Sequence, residues 1–420
     1  MRVLPVCILV VVVNAALAGE NGGKNPKVLP ELAPDPKVTA ILEKLGDNEY
    51  AQLPPAKITG EFNALAKRFR LHERGPGQRD YCLKMPWSPD RKRAFYAGGN
   101  HGAPHKLNDL WEYDLPSNTW VLLSPPDFDA SNRKAYMDQV VFKDGVVKTR
   151  SGKLLVGGHT FSGFTYDPEL RLLLWYHKRV SPSRYFPDNP EYEKAYFSGP
   201  YLWGFDPYAR KWQHIKTKPP FGRYDPGSAF VYDPKLKKSL WINNREGSGM
   251  WSYEHANRNW KKMTAKGGDG QATKMSAQIV YDSRRDILIG HGGHSNYTSE
   301  FGFANMSWKK TVTVDKQNKV APGGADKHST FAYDAVNGVA LLCDNLQGYV
   351  WVYDPDVHKW TRMTPKNSKP DARRKSGIKK GRKFTPQGFF DPLRNALVLS
   401  GGGKTVWVYR YKRAKAGKKQ

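Results

Sequence analysis

The sequence predicts an all-β fold: a β-propeller with six visible four-stranded blades and a short N-terminal helical segment. Three repeated features predict it. The first is an aromatic-Asp-Pro-like turn followed by an apolar run. It reads Ser88-Pro89-Asp90, Tyr166-Asp167-Pro168, Tyr232-Asp233-Pro234, Tyr281-Asp282-Ser283, Tyr333-Asp334-Ala335 and Phe390-Asp391-Pro392. The second is an aromatic, one residue, then an aromatic: Trp111/Tyr113, Trp203/Phe205, Trp251/Tyr253, Phe301/Phe303, Trp351/Tyr353 and Trp407/Tyr409. The third is a Trp nine residues beyond the start of that pair, at Trp120, Trp212, Trp260 and Trp360; in the fourth unit, at Trp308, the gap is seven. Most repeats run 48 to 57 residues. A period near 50 with four strands per unit is the signature of a propeller.

Each unit divides in the same order. Strand a leads into the Asp-Pro turn. Strand b is the apolar run after it, such as Leu172 to Tyr176 or Ile287 to Ile289. Strand c carries the aromatic pair, alternating as a half-buried strand does. Strand d starts at the third Trp. Turn residues of the Asp-Pro and Asn-Arg-Asn type separate them.

The segments before the repeats follow in chain order. Residues 1–18 read as a secretory signal: Arg2 is the charged region, Val3 to Val13 the apolar run, and Ala16-Leu17-Ala18 a small-residue cleavage pattern. The apolar run is short for a membrane anchor. Residues 19–79 form an N-terminal segment in which Val38, Ile41, Leu42 and Leu45 have helical spacing. Within it, Tyr50-Ala51-Gln52-Leu53-Pro54-Pro55 resembles the strand d stretch Trp120 to Pro126. The last unit, Phe384 to Tyr411, lacks a fourth strand, so Tyr50 to Pro55 is expected to close the ring. The alternative makes it a linker and adds a seventh, degenerate blade. The propeller is assigned to 80–413 and a basic tail to 414–420.

The first unit resembles the kelch family: Gly98-Gly99, then Asn108-Asp109-Leu110-Trp111-Glu112-Tyr113-Asp114, then Asn118-Thr119-Trp120. The double glycine recurs at Gly292-Gly293 and Gly401-Gly402 and is replaced in the other units. The resemblance covers roughly residues 80 to 413 and implies a kelch-like propeller. Kelch propellers serve both as enzymes and as binding platforms, so it implies no single activity.

Composition narrows the partner. Of 420 residues, 67 are Lys or Arg and 39 Asp or Glu, a formal charge of +28. With 13 Trp and 22 Tyr, the chain does not suit disorder. Three cysteines exclude a disulfide scaffold, and a mean hydropathy of −0.67 excludes a multi-span membrane protein. The charge predicts an acidic partner. Export disfavours nucleic acid, and no membrane insertion is expected, so an extracellular or periplasmic polyanion is favoured. Cys82 and Cys343 either pair in an oxidising compartment or are two small buried hydrophobes.

The long loops fall between d and a or between b and c, on one face: Pro126 to Val156, His177 to Pro200, Thr313 to Lys327 and Lys366 to Lys383. Aligned on that face are His101, Arg179, Arg245 and His294 at the ends of strand b. The starts of strand a contribute His159, Arg223, Tyr224, Lys274, His328 and Lys383, and the second-blade insertion adds Arg184 and Tyr185. Arg forks and Lys charges bind uronates and sulfates. An acidic polysaccharide is therefore the expected partner, and β-elimination at a uronate the reaction these residue types suit. Arg245 or Arg223 would neutralise the carboxylate. His101, His159 or His294 would take the proton, and Tyr224 would act as acid or base. The propeller lyases that cut ulvan-like polymers look similar in architecture and residue types.

Competing expectations are a non-catalytic carbohydrate- or protein-binding module and a divalent-metal site. For the metal, His291-Gly-Gly-His294 and His101-x-x-x-His105 have suitable spacings. A galactose-oxidase-like copper enzyme, also built on a kelch propeller, would use Tyr176-His177 and Cys82.

Overall fold

The computed structural model describes residues 32–77, 79, 82–98, 107–129, 138–143, 146–153, 162–177, 190, 201–217, 228–243, 249–266, 278–291, 297–315, 317, 319–322, 330–344, 349–367 and 387–414. Within these, strands form six antiparallel blades. Blade 1 is Trp87–Ser88, Arg93–Tyr96, Leu110–Asp114 and Thr119–Ser124, and blade 2 is Phe164–Asp167, Leu172–His177, Tyr201–Asp206 and Lys211–Ile215. Blade 3 is Ala229–Asp233, Lys238–Asn243, Gly249–Glu254 and Asn259–Met263, and blade 4 is Gln278–Asp282, Ile287–His291, Tyr297–Gly302 and Ser307–Thr313. Blade 5 is Thr330–Asp334, Val339–Asp344, Tyr349–Asp354 and Lys359–Met363. Blade 6 is Gln387–Asp391, Ala396–Ser400 and Val406–Arg410, and its outer strand is Glu49–Gln52 from the N-terminal segment. Each innermost strand packs beside the next, and blade 6 meets blade 1, so the ring closes.

Cross-strand aromatics explain the c–d pattern. Tyr113 faces Trp120, Phe205 faces Trp212, Tyr253 faces Trp260, and Tyr353 faces Trp360, with ring centroids 4.8 to 5.2 Å apart. Such pairs add about 0.5–1.5 kcal/mol beyond their burial. In blade 4 it is Phe301 that faces Trp308, at 5.3 Å. The fourth aromatic pair is therefore Ser299-x-Phe301, two residues earlier than its sequence suggests, and Phe303 belongs to the following turn. The constant quantity is the seven-residue gap from the second aromatic to the Trp. In blade 6, Tyr50 takes the Trp position, opposite Tyr409 at 4.9 Å.

The Asp-Pro signature is a capped turn. Asp167 Oδ1 accepts from Glu169 N and Leu170 N at 3.1 Å each, and Asp233 Oδ1 from Lys235 N and Leu236 N at 2.8 and 3.0 Å. Proline at the next position sets φ for the turn. In blade 1 the pairing Ser88↔Arg93 matches Asp167↔Leu172, so Ser88, not its successor, occupies the capping position. Asp90 then aligns with Glu169, a one-residue correction.

In blades 2, 3 and 5 the aromatic before the cap latches neighbouring blades, whereas Tyr281 of blade 4 donates within its own turn to Asp286 at 2.8 Å. Tyr166 donates to Asp90 at 2.7 Å and Tyr232 to Glu169 at 3.3 Å, both two residues past the previous blade's cap. Tyr333 donates to the cap Asp282 itself. Where the preceding blade has Val336 or Leu393 at that position, the aromatic is Phe390 or Trp87, which carry no hydroxyl. Phe390 packs with Val336, and Trp87 stacks on Phe389 at 5.6 Å.

Six apolar clusters among the described residues each join one pair of adjacent blades. The helix Pro36–Lys44, capped by Asp35, buries Val38 and Leu42 at the junction of blades 6 and 1. The N-terminal segment also supplies elements that the sequence did not suggest. Lys57–Gly60 adds a parallel strand outside blade 1, followed by the short helices Ala64–Arg68 and Leu71–Arg74. Gly60 is required where it stands: φ is +120°, and a Cβ would lie 2.3 Å from Leu122 O. The insertion 126–156 is not wholly loop, since Val140–Lys143 pairs with Val146–Thr149. Cys82 and Cys343 are buried in separate clusters and do not pair with each other. No helix among the described residues is long and apolar enough to cross a membrane.

Candidate functional site

Strand direction sorts the links between strands. Gln278 pairs with His291, Thr330 with Cys343 and Gln387 with Ser400, so strand a begins where strand b ends. All b–c and d–a links therefore leave one end of the ring, the loop end. The a–b and c–d turns leave the other.

At the loop end Lys84 reaches into the ring. It lies four residues before the Ser88 cap, the position of Gly163, Ala229, Gln278, Thr330 and Gln387 in the other blades. Its Nζ donates to Phe230 O at 2.6 Å, so the side chain passes from blade 1 beyond blade 2 to the innermost strand of blade 3. Phe230 N donates to Ser162 O at 3.0 Å, which ties in blade 2. No carboxylate among the described residues pairs with Lys84. Withdrawal from water pushes its amine down to about 7.

The equivalent positions make similar cross-blade links. Gln278 Oε1 accepts from Phe331 N at 3.2 Å. Gln387 Nε2 donates to Arg79 O. Arg79 is held by Asp109 Oδ1 at 2.7 Å, an ion pair with both side chains fully buried, and by Gly98 O at 2.8 Å. Ser228 Oγ and Gln387 Oε1 are buried without a partner among the described residues. Among the described residues the loop end thus presents one amine and a rim of small polar groups at the axis.

The turn end is polar and mostly paired, although Asp233 Oδ2 and Asn395 Oδ1 are buried without a partner among the described residues. Asp90 accepts from Tyr166, Tyr208 and Ser88, each at 2.7 Å. Burial pushes its carboxyl up, and those hydroxyls outweigh burial and hold it below the usual carboxylate range. Glu112 is fully buried between Arg91 and Arg93, and Arg285 bridges Asp282 and Asp356.

The expected site residues His101, His159, Arg179, Arg184, Tyr185, Arg223, Tyr224, Arg245, Lys274, His294, His328 and Lys383 all lie outside the described residues. His105 lies outside them too. His291 is described: it is buried, with Nδ1 2.9 Å from Thr298 Oγ1 and its ring 4.9 Å from Trp360. Those contacts make it part of the interface between blades 4 and 5. Among the described residues no three His, Cys, Asp or Glu side chains gather as a metal set. Of the copper candidates, Tyr176 is buried against Trp241 between blades 2 and 3, whereas Cys82 belongs to the cluster between blades 1 and 2 and donates to Ala97 O. The two residues do not share a cluster.

Sequence reasoning missed Lys84 and Arg79. A signal for Lys84 existed in the repeat, since it occupies a recurrent strand-a position. The one-residue misalignment at Ser88 concealed it.

These features define a six-bladed β-propeller. No protein-family model matches the chain, and no curated protein matches it. Among solved structures it is similar to an auxiliary nutrient binding protein from Bacteroides thetaiotaomicron VPI-5482, at 10% identity and a TM-score of 0.47. That match covers 80% of this chain and 70% of the other. A structural genomics protein of unknown function from the same organism is similar at 8% identity and a TM-score of 0.43, covering 86% and 76%. The tricorn protease is similar at 13% identity and a TM-score of 0.39, covering 79% of this chain and 25% of that one.

Proposed function

We propose that this propeller is an exported binding protein for an anionic polysaccharide, uronic or sulfated, which it takes across the axial mouth at its loop end. The observation that supports this most is Lys84, an amine inside the ring with no described carboxylate beside it. An anion in the mouth would supply that missing charge. The sequence adds Arg, Lys, His and Tyr in the loops that leave the same end. Proposed export rests on the signal-like residues 1–18.

The test is a panel of uronic, sulfated and neutral glycans titrated against the full chain. Binding of acidic glycans that weakens in Lys84→Met supports the reading. Equal affinity for a neutral glycan, or no binding of any acidic one, contradicts it. Ultraviolet absorbance from an unsaturated uronate in the same panel would extend the function to β-elimination; binding without that product makes the protein a binding module alone.

A further inference from the structure

A second cationic feature lies at the opposite end, where the helix Pro36–Lys44 meets blades 6 and 1. A cavity of about 510 Å³ opens there. Arg394, Arg410 and Arg413 line it against one carboxylate, Glu43, and Pro34, Leu42, Pro116 and Leu393 give it apolar walls. That volume falls in the range of small-molecule sites.

The arginines are held in place by backbone carbonyls. Arg410, only 8% exposed, donates Nη1 to Leu42 O and Leu45 O, Nε to Asn395 O and Nη2 to Arg394 O. Arg413 donates Nε to Leu45 O and Nη2 to Glu43 O and Lys44 O. Arg394 donates Nη1 to Asp391 Oδ2 at 3.3 Å. A guanidinium has five N–H donors. These bonds take four of Arg410, three of Arg413 and one of Arg394, so donors are left on all three.

Charge is less well satisfied than hydrogen bonding. Among the described residues no Asp or Glu forms an ion pair with the Arg410 or Arg413 side chain. Asp47 bonds only the backbone N of Arg413, at 2.7 Å. Burial, and then Arg413 beside it, push Arg410 below its ordinary range. Asp47 offsets part of that shift without pairing. A buried cation compensated mainly by dipoles is costly, and a bound anion relieves that cost.

We propose that this cavity is an anion site, separate from the axial mouth, that takes one small carboxylate-bearing molecule. Its carboxylate would meet the free guanidinium donors, and its body, a single ring or short chain, would lie on Leu42, Pro116 and Leu393. Planar forks favour a carboxylate, and the apolar walls favour an organic acid over a bare inorganic ion.

The experiment titrates glucuronate, inorganic sulfate and glucose against the full chain at low salt, by calorimetry and thermal shift. Saturable one-site binding of glucuronate is expected, with no binding of glucose and weaker binding of sulfate. Arg394→Gln and Arg413→Gln should each weaken glucuronate roughly tenfold, the loss of about one charged hydrogen bond. Lys84→Met should leave this affinity unchanged, which separates this site from the axial one. If Arg413→Gln fails to fold, Arg394→Gln decides, because that side chain holds only Asp391 among the described residues. Absence of saturation, sulfate binding as tightly as glucuronate, or sensitivity to Lys84→Met alone overturns the proposal.

Discussion

At the turn end of the ring, Asp90 satisfies three hydroxyls and Glu112 is clasped by two arginines. At the loop end, Lys84 crosses from blade 1 to blade 3 and, among the described residues, finds only a carbonyl. At the turn end Glu112 is paired within blade 1 and Asp90 is paired across to blade 2. Among the described residues the loop end leaves a cation and the unpartnered Ser228 Oγ and Gln387 Oε1, and the sequence puts Arg, His and Tyr in the links between its strand ends. The difference teaches that charge alone does not locate a site: both ends carry arginines and lysines. What distinguishes Lys84 from the Asp90 and Glu112 clusters is whether the charge is already compensated, and the arginines beside the helix Pro36–Lys44 are the turn end's own exception.

The largest effect that would break this contrast is Glu112→Ala. It strands Arg91 and Arg93, the latter left with Asp114 at 3.0 Å. Removing one partner of a buried pair costs about 3–5 kcal/mol. Urea unfolding should show a loss of that size, and a loss below about 1 kcal/mol would mean that the turn end is not held by its ion pairs.

Next is Lys84→Met. The folded amine is pushed down to about 7, from an ordinary 10.5. Between those values the unfolded chain binds the extra proton, so stability rises with pH across that window. Below about pH 7 the cost of the buried charge is fully present. Discounted for solvent access, it is roughly 2 kcal/mol. Thermal melts should show the variant more stable at pH 7, with the gain shrinking toward pH 10.5. A constant difference at every pH would argue against a buried amine. Glycan affinity in the unmutated chain should fall as pH rises through about 7, because the anion needs the protonated form.

A smaller loss, about 1 kcal/mol, is expected for Tyr166→Phe, since Asp90 keeps Tyr208 and Ser88. The double variant with Asp90→Asn should cost less than the sum of the two single changes; additivity would deny the latch. The smallest effect is a gain. Arg258 is exposed and closes a c–d turn at φ +52°. Arg258→Gly should stabilise by about 1 kcal/mol through relief of left-handed strain, read from the unfolding midpoint.

The blade framework was legible because its signals are local. An aromatic pair, a Trp seven residues on and a capped turn sit within one unit and recur at a fixed period. Two frames slipped for a physical reason: Phe303 imitates the true pair member Phe301, and Ser88 replaces Asp at the cap in blade 1. The outer parallel strand Lys57–Gly60 was hidden because its partner, Thr119–Ser124, is distant in sequence. Lys84 was concealed by the slipped frame at Ser88, and its acceptor, 146 residues on, could not be read from its own unit. The loop residues named from sequence lie outside the described residues.

Hydrogen–deuterium exchange of the full chain, with and without a bound acidic polysaccharide, addresses the contrast between the two ends most directly. The account predicts protection in peptides spanning Lys84, the start of strand a at Ala229 and Phe230, and the adjoining loops. Peptides over the a–b turns at Asp167 and Asp282 should be unchanged. Protection confined to the a–b turns at Asp167 and Asp282, or spread equally over those turns and the loop end, would contradict it.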